Sequence, residues 1–424
     1  MKVAHFIWDF SLYNSGRPQR FVSQLGHWLA KMGHNVTVFT SKGGNSQGKG
    51  VFETHCMESI DFSDILPLFV CSELQNWGNG LRFFAHILSY NILAASKLVK
   101  MNRERNYDVV HLHDWPSVLS AACLKKELDS PFVFQIHSTE KGRSHGLGSK
   151  TIEALEYKGM DMADIVVTVS NAMRAELQSL GVNGDKLRVI YNGVDAGKFR
   201  PERVSPDLVK KLKEHYDISG ETILFTGRLA QVKGVHNLVM AMPEVLKEFP
   251  EAKLIILGTG ELDAQINFII EHLGLKDSVI LKNEIVDEEE RIIHYGIADV
   301  CVFPSVYEPS GVACIEAMSM GKPVVVGASG TSALREIVAD EGAERCGYHV
   351  NGADPTDIAS GIIEIIGNDR ERKVMRRNAR ERVLKYFTWD KIAQDMIEVY
   401  QEVSEEGAKK SRELSELSRY QLQL

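Results

Sequence analysis

Short runs in which almost every residue is apolar recur along the whole chain, separated by amphipathic stretches and Gly-rich turns. In the first half they are KVAHFIW (2–8), NVTVFT (35–40), DVVHLH (108–113), FVFQIH (132–137), IVVTVS (165–170) and LRVIYNG (187–193). The second half carries TILFTGR (222–228), KLIILGTG (253–260), SVIL (278–281), DVCVFPS (299–305) and KPVVVG (322–327). A strand apolar on both faces needs cover on both faces, which parallel sheets flanked by helices supply. The stretch FVSQLGHWLAKMGH (21–34) has the helical period of such a cover. The pattern predicts an α/β chain with two doubly wound, Rossmann-like domains.

The break between the two series falls at VDAGKFRPERVSPD (194–207), where Gly and Pro interrupt and no periodicity holds. The expected domains are therefore 1–200 and 204–386. FTWDKIAQDMIEVYQEV (387–403) reads as an amphipathic helix with no strand after it, and we assign 388–406 to that helix. The charged tail 407–424 reads as a solvated helix or a frayed end.

Composition narrows the class. A chain of 424 residues, 44% hydrophobic and 25% charged, is globular and long enough for two sizeable cores. A net charge of −8 argues against nucleic acid as the main partner. No run of about 18 uncharged apolar residues is present, so no transmembrane helix is expected. MKVAHFIWDF reads as a buried first strand and not as a signal peptide, since His5 and Asp9 break its apolar run; a cytoplasmic protein is the expectation. The six cysteines form no C-x-x-C pair and read as reduced core thiols.

Open α/β sheets bind ligands outside the carboxyl ends of their strands. In the first domain those positions hold Gly16, His113-Asp114-Trp115 and His137-Ser138-Thr139-Glu140. In the second they hold Gly227-Arg228 with Lys233-Gly234, then Gly258-Thr259-Gly260-Glu261, then Glu308-Pro309-Ser310-Gly311. Polar and glycine residues thus gather at one edge of both sheets, and a cleft between two facing domains is the economical explanation. The last turn opens into a helix-prone run starting near Gly311, so Glu308 precedes the helix and Glu316 lies about one and a half turns into it. Free N–H groups and the positive dipole end make such an N-terminus a seat for phosphate. Taken singly, Arg228 and Lys233 read as a solvated loop and Glu316 as a helix-face carboxylate.

In their order, GRLAQVKG (227–234), LGTGE (257–261) and YEPSGVACIEAM (307–318) resemble the signature set of retaining glycosyltransferases of the GT-B fold, in the group that includes glycogen synthases. The resemblance spans nearly the whole chain. It implies two facing Rossmann-like domains with a deep cleft: the first binds acceptor, the second binds nucleotide sugar, and the last helix crosses back onto the first domain. It further implies catalytic roles for His137, Glu308, Arg228 and Lys233. Donor contacts would come from Gly16, Arg17, Gly227, Gly260, Glu261, Ser310, Gly311, Val312 and Glu316, with Glu316 on the ribose hydroxyls and Glu308 on the transferred sugar. Two departures stand out: the first loop reads Asn14-Ser15-Gly16-Arg17 where the family has Gly-Gly, and Ser310 stands where an aromatic residue is usual.

Cations and N–H donors aimed at the leaving phosphate would supply the main catalytic term, and Arg228, Lys233, Gly311 and Val312 are suited to that. Retention in this group is attributed to front-face attack, with the leaving phosphate taking the acceptor proton. The chain has no Asp-x-Asp, no H-E-x-x-H and no clustered Cys/His set, so neither a metal nor a cofactor is expected beyond the nucleotide sugar itself. GGNSQGKG (43–50) nearly fits a phosphate-binding loop but has Gly50 at the Ser/Thr position and VFETH, a strand-like run, after it; a surface loop is expected.

HLHDW (111–115) resembles the H-x-H-D-W of glycogen and starch synthases, and HSTEKGR (137–143) a stretch of archaeal-type glycogen synthases. These imply UDP- or ADP-glucose as donor and an α-glucan or similar saccharide as acceptor, contacted by Asp114, Trp115 and Glu140. Asp114 before Trp115-Pro116 is equally a good helix N-cap. Trp77, Phe83 and Phe84 read as core packing or as an aromatic acceptor surface. The alternatives are a polyol, sugar-phosphate or lipid-linked acceptor, then a nucleotide-sugar epimerase, then a non-catalytic binder.

Overall fold

A computed structural model describes residues 1–10, 17–42, 52–70, 72–77 and 79–421; the side chains of residues 17, 79 and 407–421 fall outside it. Gly16 and the 43–50 loop therefore lie outside the described residues, and Arg17 is described only as the backbone start of the helix Arg17–Lys31.

The chain divides into two compact units, and the expected parallel architecture is present in each. One unit comprises Met1–Val169, Arg174–Ile190 and Asp390–Leu424, the other Ser170–Met173 and Tyr191–Trp389. The first sheet contains β1 (Lys2–Phe6), β2 (Asn35–Thr40), β3 (Glu53–Cys56), β4 (Val109–His113), β5 (Phe132–Ile136), β6 (Ile165–Thr168) and β7 (Leu187–Val189). Their order is 3-2-1-4-5-6-7, every pairing parallel. The second contains β8 (Thr222–Thr226), β9 (Lys253–Leu257), β10 (Val279–Lys282), β11 (Val300–Phe303), β12 (Val324–Gly327) and β13 (Gly347–Val350) in the order 10-9-8-11-12-13. Strand order reverses between β1 and β4 in one sheet and between β8 and β11 in the other, which makes those the switch points where such sheets hold ligands.

Double burial explains why the runs are continuously apolar. Ile223 and Phe225 of β8 enter one core of the second unit while Leu224, between them, enters the core on the opposite face. Residues after Ile190 belong to the second unit because Phe199 and Val194 are fully buried in that same core. Ser319 anchors the segment further, its hydroxyl donating to the Phe199 carbonyl at 2.6 Å. The change of unit thus falls between Ile190 and Tyr191, just before the Gly- and Pro-rich stretch 194–207 that reads as a linker. The helix Trp389–Gln421 continues well past residue 403, and its Tyr400 is buried in the first unit. No helix among the described residues is long and apolar enough to cross a membrane. Cys301, Cys314 and Cys346 are buried, whereas Cys56 and Cys123 are half-buried.

Candidate functional site

In the second unit the β8 and β11 ends are tied together by their loops. After β8 the chain makes a tight turn, Gln231–Lys233, that ends at Gly234 with φ of 65°. A Cβ at Gly234 would sit 2.1 Å from the Pro304 carbonyl oxygen, so glycine is what lets this turn press against the β11 end. Val306 N–H then donates to the Val232 carbonyl at 2.9 Å. This contact brings Lys233 onto Glu308: the two form a buried ion pair, with 11% and 8% of their side chains exposed. Glu308 also accepts from Ser305 Oγ and from Gly311 N, each at 3.3 Å. The helix Val312–Ser319 starts on Gly311, whose φ of 61° is left-handed. Beside that start, Ser310 Oγ is buried without a hydrogen-bond partner.

Lys233 is therefore not on a solvated loop, while Arg228, after the same strand, is exposed, as is Glu261. Gly227 and Gly260 shape the neighbouring turns: Gly227 has φ of 156°, and a Cβ on Gly260 would meet the Leu229 carbonyl oxygen at 2.2 Å. Glu316 is not a solvent-facing helix carboxylate. It is buried, paired with Arg291 at 3.0 Å and hydrogen-bonded by Tyr295 at 3.3 Å. Val312 is half-buried in the first turn of its helix.

In the first unit, Asp114 sits directly beyond β4 with φ of 55° and ψ of 173°, a backbone region nearly reserved for glycine that costs about 1–3 kcal/mol. The helix-cap reading of its side chain needs correction: the carboxylate makes no cap bond to the turn Trp115–Ser117. Instead it accepts the backbone N–H of His137 at 2.8 Å, which the parallel pairing of β4 and β5 brings beside it. Strain at such a position points to a functional constraint. Trp115 is half-buried and packs edge-on to Phe83, whose ring is 42% exposed, while Phe84 is buried against Trp77.

Thr139 caps the short helix Glu140–Arg143, accepting from Gly142 N at 3.0 Å. Glu140 pairs with Arg143 at 2.7 Å, and Arg143 reaches Glu156 at 3.1 Å. Glu156 also accepts the Glu140 N–H, at 2.9 Å. Burial pushes the Glu156 carboxyl up to about 7, against the opposing pull of these bonds. Neither Arg143 nor Glu156 is among the residues singled out in the sequence; Arg143 stands one helical step from Glu140, whereas the distance to Glu156 carries no periodic signal.

The raised Glu156 value has a consequence for stability. The folded chain holds that proton more tightly than the unfolded chain, so the contribution is full below about pH 4.5 and is lost as pH rises through 7. Over that window the loss is about 3 kcal/mol. Thermal unfolding of Glu156→Gln between pH 5 and 8 should lack this part of the decline. An unchanged slope would assign the pH dependence elsewhere.

Known proteins resemble the chain along both of its halves. A family model described as Glycosyl transferases group 1 matches residues 211–382, and one described as Glycosyltransferase Family 4 matches residues 18–198. An uncharacterized glycosyltransferase of Methanocaldococcus jannaschii is 30% identical over 411 residues, covering 94% of this chain and 98% of that protein. The glycogen synthase of Mycobacterium tuberculosis is 27% identical over 415 residues, covering 94% of each. The structure of Anabaena HepE in complex with UDP-glucose shares the fold, with a TM-score of 0.71 at 18% identity over 95% of this chain and all of that one. Two all-parallel sheets, matched along both halves by these families, make the chain a member of the group 1 glycosyltransferases of the GT-B fold.

Proposed function

We propose that the chain is a retaining hexosyltransferase that moves glucose from a nucleoside diphosphate, UDP or ADP, to a saccharide acceptor of the α-glucan kind. The carrying observation is the Lys233–Glu308 pair at the Gly311 helix start, with the unpartnered Ser310 hydroxyl beside it. A buried lysine, a helix N-terminus and an unspent hydroxyl suit an anion whose charge grows as the reaction proceeds. In this reading the C1–O bond to the diphosphate breaks while the acceptor oxygen bonds C1 on the same face. The acceptor proton passes to the leaving phosphate, stabilised by Lys233 and the exposed Arg228. Glu308 contacts the sugar, Glu316 the ribose, and Gly227, Gly260, Glu261, Ser310 and Val312 line the donor. His137, Asp114, Trp115 and Glu140 serve the sugar and acceptor from the first unit.

The glycogen synthase relative supports the glucan reading, and the UDP-glucose complex of HepE supports the donor. The test is a screen of nucleotide sugars with and without malto-oligosaccharides or glycogen, read by mass spectrometry. Transfer only to a polyol, sugar phosphate or lipid-linked acceptor would remove the glucan reading and leave the glycosyltransferase. Consumption of the donor without any acceptor, with inversion of a sugar centre, would replace both.

No Asp-x-Asp occurs in the sequence, and in this reading Lys233 and Arg228 supply the positive charge. Transfer is therefore expected to persist at full rate in excess chelator. Complete loss in chelator, restored by one divalent ion, would contradict this.

A further inference from the structure

One face of the first sheet is polar although it is sealed. His5 of β1 is the register partner of His111 on β4, His113 lies two residues on, and His113 in turn pairs with Gln135 of β5, two residues before His137. All four histidines are buried, and Phe21 packs edge-on to the His137 ring at 5.3 Å. His5 Nδ1 lies 3.0 Å from His113 Nε2, and His113 Nδ1 lies 3.3 Å from His137 Nε2. The ring planes of each pair are within 15° and 25°, with centroids 5.3 and 5.5 Å apart. Each centroid separation exceeds the N···N distance by about two ring radii, so the rings meet edge to edge in a nearly common plane. His111, by contrast, stacks on the His113 ring with centroids 4.2 Å apart and stands outside this edge-to-edge series. The arrangement is a hydrogen-bonded imidazole chain.

Burial holds His5 down to about 3 and His113 well below its ordinary value, so both stay neutral, each with one N–H and one lone pair. In such a chain the tautomers are not independent. If His5 donates from Nδ1, His113 must donate from Nδ1 to His137 Nε2, and a neutral His137 carries its own proton on Nδ1. Reversing any one ring reverses all three. His5 Nε2 is buried without a partner, and a buried lone pair left unpaired is more readily tolerated than a buried N–H left unpaired. This selects donation from His5 towards His137.

We propose that His5 and His113 are positioning residues that hold the His137 ring in its Nδ1–H tautomer and in a fixed plane. The consequence for transfer rests on the reading of His137 as a contact to the donor sugar. The rival is a metal ion, since ring nitrogens of His5, His111 and His113 lie within 4.8 Å of one another. Metal–nitrogen bonds are about 2.0–2.1 Å for zinc. Two nitrogens that face each other at 3.0 Å cannot both bind one ion on the line between them. His111 has a separate bond, its Nδ1 to the Tyr400 hydroxyl at 2.7 Å.

The test is the ring-nitrogen NMR spectrum of the full chain labelled with 15N-histidine, which needs no variant to give its first answer. Wild type is expected to show His137 with its proton on Nδ1. His5→Phe should move His137 to a mixture of tautomers, and His5→Asn, which keeps a donor at the δ position, should restore the wild-type signals. With His5→Phe, kcat should fall roughly 10- to 100-fold, the range for loss of an orienting partner, with KM for the donor little changed. A His137 proton on Nε2 in wild type would overturn the proposal, as would unmoved His137 signals in His5→Phe or one tightly bound metal per chain. Signals that move as expected while His137→Ala keeps full turnover would uphold the relay and remove the sugar contact.

Discussion

Lys233→Ala is expected to lower kcat/KM by about 10²- to 10³-fold, the effect of removing one preorganised group aimed at developing charge. It should also cost about 3–5 kcal/mol of stability, because Glu308 would be left as a buried carboxylate without its cation. The two effects can be separated. Lys233→Met with Glu308→Gln removes both charges and should recover most of the stability while activity stays low. Arg228→Ala is the complementary probe: that side chain is exposed, so its loss should leave unfolding unchanged and still reduce turnover. Kinetics with a saturating nucleotide sugar and thermal unfolding of the four proteins decide the matter. If Lys233→Ala and Arg228→Ala both turn over like wild type with unaltered donor affinity, the phosphate does not bind here.

Much of this architecture was legible because doubly buried strands leave little choice of residue. The runs at 35–40 and 222–228 coincide with strands for that reason, the latter running two residues into the following turn. Gly347–Val350 is different: Tyr348 and His349 are only half-buried at the end of the sheet, so GYHV carries no continuous apolar signal. The helix start at Gly311 could be read from the turn residues before it. What could not be read were the partners chosen across the fold. Glu316 meets Arg291 from a separate helix, and the strained Asp114 meets a backbone N–H just beyond the end of the neighbouring strand. Sequence spacing encodes neighbours along one helix or strand; it does not encode which side chains two elements bring together.

The Asp114 substitution joins that missing information to the choice of acceptor. Asn has the shape of Asp and keeps an oxygen for the His137 N–H, so Asp114→Asn should fold with a small loss of stability. Asp114→Ala removes that acceptor and places an ordinary residue at φ of 55° with nothing to hold it. It should cost about 1–3 kcal/mol. The functional effects should diverge from this order. A hydrogen bond from a sugar hydroxyl to a carboxylate contributes about 1.5–3 kcal/mol, against about 0.5–1.5 for a neutral acceptor. Asp114→Asn should therefore reduce transfer to malto-oligosaccharides roughly 10-fold, by the difference between those ranges, while hydrolysis of the donor by water stays near wild type. Parallel assays of glucan elongation and nucleoside diphosphate release would show the split. Equal losses in both would mean that Asp114 serves the His137 backbone alone, and the glucan acceptor would then rest on the screen and not on this residue.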